Sequence, residues 1–124
     1  VYGSPWTPQF GNWSFMESRD AIKQKWDAIP EDTEILVTHG PPFEIGDRNS
    51  SQDPCGCGWL KQRVKELPDL KMHVFGHIHE SAGEHSLFGS DIKFVNASIC
   101  TSAYKPTNKP IVIDLPTKVF EWNC

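Results

Sequence analysis

The chain is predicted to form an α/β domain, because short apolar runs typical of strands alternate with segments of helical spacing. The clearest run lies at residues 34–38, where apolar and β-branched side chains follow one another without interruption. A polar loop, a helical segment and a second apolar run at 71–75 come after it. Strand, helix and strand in this order predict a βαβ unit with parallel strands.

The first thirty residues predict a short strand, an ordered loop and one helix. Residues 1–14 combine proline, glycine and aromatic side chains, which favours an ordered loop after a short strand. Ser14 and Glu17 have the spacing of a capping box. The helical spacing that follows predicts a helix over 17–28, ended by Pro30 and carried by Ala21, Ile22, Lys25, Trp26 and Ile29.

The middle of the chain predicts a long loop and a second helix. Residues 43–55 are too polar and too many for a simple connection, so we expect this loop to line a site. A second helix is predicted over 57–67, ended by Pro68, because one helical face carries Trp59, Leu60, Val64 and Leu67.

The last third of the chain is predicted to be mostly strand. Apolar runs indicate strands at 71–75, 92–96 and 110–115, with a further one at 119–122. Gly89 predicts a tight hairpin between the neighbouring apolar pairs. We therefore expect antiparallel pairing to dominate in this part.

Composition limits the possible functions. The chain has 124 residues, of which 38% are hydrophobic and 23% charged, and fits one small globular domain. Its formal net charge of −4 argues against sequence-independent binding to nucleic acid. No apolar run is long enough to cross a bilayer, and residues 1–15 do not resemble a signal peptide. A cytoplasmic location is therefore predicted.

The four cysteines are predicted to be reduced thiols. Cys55 and Cys57 are too close in sequence to bridge without strain. Nothing at standard spacing completes a zinc site around Cys55-Gly56-Cys57, so this string is interpreted as a turn that leads into the second helix.

Two histidine strings predict a metal site. Thr38-His39-Gly40-Pro41-Pro42 follows the strand at 34–38, and Gly76-His77-Ile78-His79-Glu80 follows the strand at 71–75. Neutral imidazole is a common metal ligand, and α/β folds place their chemistry at the carboxyl ends of strands. We therefore predict that His39, His77 and His79 bind metal.

The spacing within the second string suggests how its rings would be presented. In an extended segment His77 and His79 would point to one side, with Ile78 packed on the other. Each ligating ring would donate its second N–H to a carbonyl or carboxylate, with Glu80 or Asp47 as candidates. The remaining His73 and His85 are interpreted as structural.

These strings resemble the last two signature blocks of calcineurin-like metallophosphoesterases. A finer resemblance is to the metallophosphoesterase domain-containing branch, which includes a form described from fetal brain. It is carried by Gly3-Ser4-Pro5-Trp6-Thr7-Pro8, Cys55-Gly56-Cys57, Asn96-Ala97-Ser98 and Pro106-Thr107-Asn108 with the run at 110–115.

The resemblance implies a β-sandwich flanked by helices and two divalent metal ions, with manganese, zinc and iron as candidates. It implies metal-dependent hydrolysis of a small-molecule phosphodiester, with cyclic nucleotides as one candidate substrate. By the same resemblance, His39 and His77 would bind one metal and His79 the other.

The chain also departs from that family pattern. The Asp-x-His, Gly-Asp and Gly-Asn-His blocks that precede the histidine strings in the family are missing, and Gly11-Asn12-Trp13 has tryptophan where histidine is needed. We therefore expect residues 1–124 to be the C-terminal portion of a metallophosphoesterase domain, whose uncovered strand edges favour self-association. The alternatives are an inactive product that acts as a binding or regulatory module, and a structural domain with a single zinc ion.

Overall fold

A computed structural model describes residues 1–116 of the chain. Its elements in chain order are β1 (Tyr2–Ser4), β2 (Thr7–Pro8), β3 (Met16–Glu17), α1 (Lys23–Asp27), β4 (Ile35–Thr38), α2 (Gly58–Glu66), β5 (Met72–Phe75), a 3₁₀ turn (His79–Ser81), β6 (Gly83–His85) and β7 (Lys93–Asn96).

The main sheet has five strands in the order β1-β4-β5-β7-β6. The strands β1, β4, β5 and β7 are parallel, and only β6 runs antiparallel to its neighbour β7. The predicted α/β class and the βαβ unit of β4, α2 and β5 are confirmed. The expected dominance of antiparallel pairing is wrong, because β6 forms an edge strand beyond β7 and leaves β7 free to pair with β5 in parallel.

Both helices cover one face of this sheet. Leu36, His73 and Phe94 lie side by side on neighbouring strands, and all three are fully buried. Trp26 of α1 and Val64 of α2 belong to the same core cluster. Burial of these apolar side chains is the main favourable contribution to folding.

The opposite face of the sheet is only partly covered. Gly3, Val37, Val74 and Val95 form a row across the four parallel strands, and the side chain of Val37 is 42% exposed. In the described part of the chain, the second sheet consists only of the parallel pair β2 and β3.

The first helix is shorter than the predicted 17–28. Met16 and Glu17 pair with β2 instead, and Phe15 has a positive φ of 58°, so Ser14 and Glu17 do not form a capping box. Ser18 starts the helical turns, because its side chain accepts a hydrogen bond from Ala21 N at 3.1 Å. A pairing partner nine residues upstream, Thr7, thus overrides the local helical pattern.

The second helix is confirmed within the predicted 57–67, with Leu60, Val64 and Leu67 buried and Trp59 38% exposed. Residues 110–115 form no strand, because nothing in residues 1–116 pairs with their backbone. The strand predicted at 119–122 lies outside the described residues. No helix of the described part is long and apolar enough to span a membrane.

Candidate functional site

The carboxyl ends of the parallel strands surround a cavity of about 510 Å³. His77, Ile78 and His79 after β5 line one part of it, and the loop after β4 contributes Gly40 and Pro41. Open α/β sheets bind their ligands at this edge. The sequence-based placement of the histidine strings at one sheet edge is therefore correct.

His39 and His77 meet directly. Nε2 of His39 lies 3.2 Å from Nδ1 of His77, and the ring centroids are 4.8 Å apart. The two turns are also joined through the backbone, because Gly76 N donates to His39 O at 3.0 Å. Parallel pairing of β4 and β5 thus brings together two side chains that are distant in sequence.

His77 does not continue the strand. Its φ is +71°, and Ile78 N donates to Gly76 O at 2.9 Å, which makes residues 76–78 a γ-turn of the rare, strained type. The predicted extended geometry at 77–79 is therefore wrong, although Ile78 is buried at 8% exposure as expected. Such strained backbone costs on the order of 1–3 kcal/mol and is concentrated at functional sites.

His79 is oriented by a backbone carbonyl. It begins the 3₁₀ turn, and its Nδ1 lies 3.1 Å from Thr101 O. Since a carbonyl can only accept, Nδ1 carries the proton and Nε2 keeps a free lone pair. A carbonyl partner of this kind was predicted, but Thr101 takes the place of Glu80 and Asp47. The ring of Tyr104 packs edge-on against His79 with centroids 5.5 Å apart.

Burial lowers the pKa of His77, and the neighbouring rings of His39 and His79 lower that pKa further. Two effects thus act in the same direction, because desolvation and nearby positive charge both disfavour the imidazolium form. A neutral ring is the form that binds metal.

Asp47 stabilises the long loop and forms no hydrogen bond with a histidine of the described residues. Its side chain is fully buried, and Oδ2 accepts hydrogen bonds from Glu44 N and Gly56 N, both at 2.8 Å. Its Oδ1 has no hydrogen-bond partner. Asp47 is therefore a structural residue of the 43–57 loop and not the acceptor for a ligating ring.

Cys55-Gly56-Cys57 forms a turn into α2, as predicted. Gly56 packs directly on the carbonyl group of Pro42, and Cys57 N donates to Pro41 O at 3.0 Å. The thiol of Cys57 is buried and accepts a hydrogen bond from Nε1 of Trp26 at 3.3 Å. Within residues 1–116 the cysteines are free, as predicted.

Comparison with known proteins shows which sequences this chain is similar to. No protein-family model matches the chain. It is 45% identical over 119 residues to human metallophosphoesterase domain-containing protein 1, a match that covers 94% of this chain and 36% of that protein. A Caenorhabditis elegans UPF0046 protein is 37% identical over 117 residues, with 29% of its length covered.

The chain belongs to the metallophosphoesterase domain-containing family. It spans about a third of the length of these curated relatives. The chain is also 42% identical over 85 residues to a probable rhamnogalacturonate lyase C of Emericella nidulans. That match covers only 8% of the lyase, so its name says nothing about the matched segment.

Membership of a metallophosphoesterase family implies dependence on divalent metal. Nevertheless, residues 1–116 contain no group of three or more histidine, cysteine, aspartate or glutamate side chains that could hold a metal ion. The structure joins His39 and His77, whereas His79 lies beside this pair and its Nδ1 points to Thr101. By themselves, residues 1–116 therefore do not supply a complete set of ligands for a metal ion.

Several residues of the cavity were not predicted. Among residues 1–116, Arg19 is the one arginine or lysine that lines the cavity, and its Nη1 donates a long hydrogen bond of 3.4 Å to Gly56 O. Arg19 lies in the segment predicted as the first helix, and nothing in its sequence context indicated that it would line the cavity. Arg48 and Lys105 do not line this cavity.

Two aromatic side chains of the amino-terminal loop lie on the His77 side of the cavity. Phe10 packs edge-on against His77 with centroids 6.0 Å apart and is 59% exposed. Trp13 contacts Phe10 and is 66% exposed. Trp13 thus differs from Trp26, which is buried in the core.

Proposed function

We propose that this chain contributes the histidine side of a metal-dependent phosphoesterase site, with His39, His77 and His79 as ligands in the complete domain. The observation that carries the proposal is the 3.2 Å approach of His39 Nε2 to His77 Nδ1 at the sheet edge. The free Nε2 lone pair of His79 beside this pair supports it.

The remaining ligands are proposed to come from outside residues 1–124, which form the C-terminal portion of the domain. Residues 1–116 hold no group of three or more histidine, cysteine, aspartate or glutamate side chains that could bind a metal ion, so further ligands are needed for a two-metal site. Zinc, manganese and iron suit imidazole and carboxylate ligands. The free thiols agree with a cytoplasmic location.

The proposed substrate is a small-molecule phosphodiester, with cyclic nucleotides as a candidate class. The guanidinium of Arg19 in the cavity supplies positive charge toward a phosphate. Phe10, Trp13 and Tyr104 give the same cavity apolar walls suited to an aromatic group of the substrate. A bare inorganic phosphate would use only part of this lining.

Zinc titration of single-alanine variants tests the ligand set. We expect His39→Ala, His77→Ala and His79→Ala each to weaken Zn²⁺ binding by roughly tenfold or more. His85→Ala is the matched control, because this ring bonds to Ser81 O at 2.7 Å, away from the histidine pair. Equal losses in the control and the three variants would contradict the proposal.

A second candidate is a non-catalytic binding module. It is favoured by the incomplete set of metal ligands in residues 1–116. Assay of an aryl phosphodiester with Zn²⁺ or Mn²⁺ separates the two functions, using the chain together with the missing upstream blocks of a relative. Hydrolysis that His77→Ala abolishes supports the enzyme, whereas nucleotide binding without turnover supports the module.

A further inference from the structure

We propose that Asn96 is the positioning residue that holds the turn at 76–78 and thereby directs His77 and His79 into the cavity. The inference rests on the proposed metal site for its functional meaning, whereas its structural part can be tested without metal. The observations that carry it are the burial of Asn96 and its hydrogen bonds to three separate loops.

Asn96 ends β7 and is fully buried. Its Nδ2 donates to Ile78 O at 2.8 Å and to Gly46 O at 3.0 Å. Its Oδ1 accepts from Ser98 Oγ at 2.7 Å and from Ser98 N at 3.2 Å. Both amide hydrogens and both oxygen lone pairs of the side chain are therefore used.

The bond to Ile78 O acts on the strained turn. The side chain of Ile78 is buried, and its carbonyl is held by Asn96, so the residue is fixed at two points. His77 and His79 flank this fixed residue and both line the cavity. A positive φ at a non-glycine residue persists only where the surroundings enforce it, and Asn96 supplies that constraint on His77.

The bond to Gly46 O joins this turn to the 43–57 loop. Asn49, Pro54 and Cys55 of that loop line the cavity across from the histidines. A single amide group therefore sets the spacing between two walls of the site. Without its two donors, both carbonyl oxygens would lose a buried hydrogen bond, which is costly because little water reaches them.

Asn96-Ala97-Ser98 has the Asn-x-Ser pattern of an N-glycosylation acceptor, but the same hydrogen bonds give this string a structural role. A glycan would attach to Nδ2, the atom whose two hydrogens already donate within the fold. Asn96-Ala97-Ser98 therefore forms the polar end of β7.

Native-state amide hydrogen exchange tests the structural part. In Asn96→Asp, which keeps the acceptor and removes both donors, we expect protection of the Ile78 amide to fall by roughly tenfold or more relative to the amides of β5. Asn96→Ala gives the same comparison without a buried charge. Ser98→Ala removes only the Oγ–H donor to Oδ1 and should leave this ratio unchanged.

Val64→Ala is the control for overall stability. It opens a cavity in the hydrophobic core beneath α2, on a different element from the turn at 76–78. It should lower protection in β5 and at Ile78 together. If the Asn96 variants lower both in the same proportion as Val64→Ala, the positioning role is overturned.

Zinc affinity measured by competition with a chromophoric chelator tests the functional part. We expect a loss of roughly 10- to 100-fold in the Asn96 variants and a change within about twofold in Ser98→Ala and Val64→Ala. Unchanged affinity in the Asn96 variants would overturn the positioning of the rings. If the unaltered chain binds no Zn²⁺, the metal proposal fails, and hydrogen exchange alone decides whether Asn96 holds the turn.

Discussion

His73 is a fully buried histidine whose environment determines its protonation state. Thr38 Oγ1 donates its only hydrogen to Gly40 O at 2.8 Å. The same oxygen lies 2.8 Å from His73 Nε2, so in that second hydrogen bond Nε2 is the donor and Oγ1 the acceptor. The Nδ1 atom of His73 carries no proton and has no hydrogen-bond partner. Burial lowers the pKa of His73 to about 3. The ring is therefore neutral in the fold.

This shift predicts a loss of stability in mild acid. Below pH 6.5, the ordinary pKa of histidine, His73 binds a proton in the unfolded chain. In the folded chain the same ring stays neutral down to about pH 3. The contribution of His73 to the free energy of unfolding is therefore fully present above pH 6.5. It falls by up to about 1.4 kcal/mol per pH unit between pH 6.5 and pH 3.

Urea unfolding of His73→Leu at several pH values checks this prediction. The variant cannot titrate at this position, so its free energy of unfolding should fall less steeply below pH 6.5 than that of the unaltered chain. Above pH 7 the two proteins should differ by a constant amount, which serves as the internal control. Parallel curves from pH 7 to pH 4 would refute the assigned role of His73.

The turn before α2 is an element that depends on one glycine. A β-carbon at Gly56 would overlap the carbonyl group of Pro42 and lie 2.7 Å from Phe43 N. These are backbone atoms, which cannot rotate away as a side chain can. The contact lets Cys55-Gly56-Cys57 lie against the Pro41-Pro42 segment, and so places the start of α2 beside the histidine strings.

We predict that Gly56→Ala lowers the free energy of unfolding by about 3 kcal/mol or more. Gly58→Ala is the matched control two residues away, because nothing lies within 4 Å of a β-carbon at that first position of α2. It should be neutral or stabilise by up to about 1 kcal/mol. Chemical denaturation of both variants decides the point, and similar values for the two would contradict the packing argument.

Elements whose signals are local were predictable, and elements that depend on distant partners were not. The helix α2 and the strands β4 and β5 follow from apolar spacing within each segment. The shortened α1 does not, because Met16 pairs with Thr7. The run at 110–115 was predicted as a strand from composition alone, whereas a strand also needs a neighbour for its backbone groups.

The features of the candidate site can likewise be separated into those that were predictable from sequence and those that were not. The approach of His39 to His77 followed from two parallel strands ending at one edge. The turn at His77 did not, because it depends on Asn96, which lies 18 residues beyond Ile78. Thr101 as the partner of His79 and Arg19 as a cavity residue also come from segments whose placement no local pattern indicates.

The described sheet has helices on one face only, and this asymmetry governs how the chain should behave in solution. The row of Gly3, Val37, Val74 and Val95 lies on the other face, and its outer strand β1 has only β4 as a neighbour among residues 1–116. Exposed apolar sheet faces and open edges favour association. We expect two copies of the chain to associate through this face.

Sedimentation over a range of concentrations tests this expectation. Val37→Lys should shift the chain toward monomer, because Val37 is an exposed member of this row and a charge there opposes apolar contact. Lys23→Glu is a control of surface charge on the helical side and should leave association unchanged. If both variants associate as the unaltered chain does, the interface lies elsewhere.

The parallel pairing of β1 also has a kinetic consequence. Tyr2 lies opposite Leu36, so β1 can pair with β4 only after the segment between them, which includes α1, has also been synthesised. Such long-range closure is slow compared with helix formation. During translation, the edge of β1 that faces β4 in the fold therefore stays without this partner until β4 has emerged.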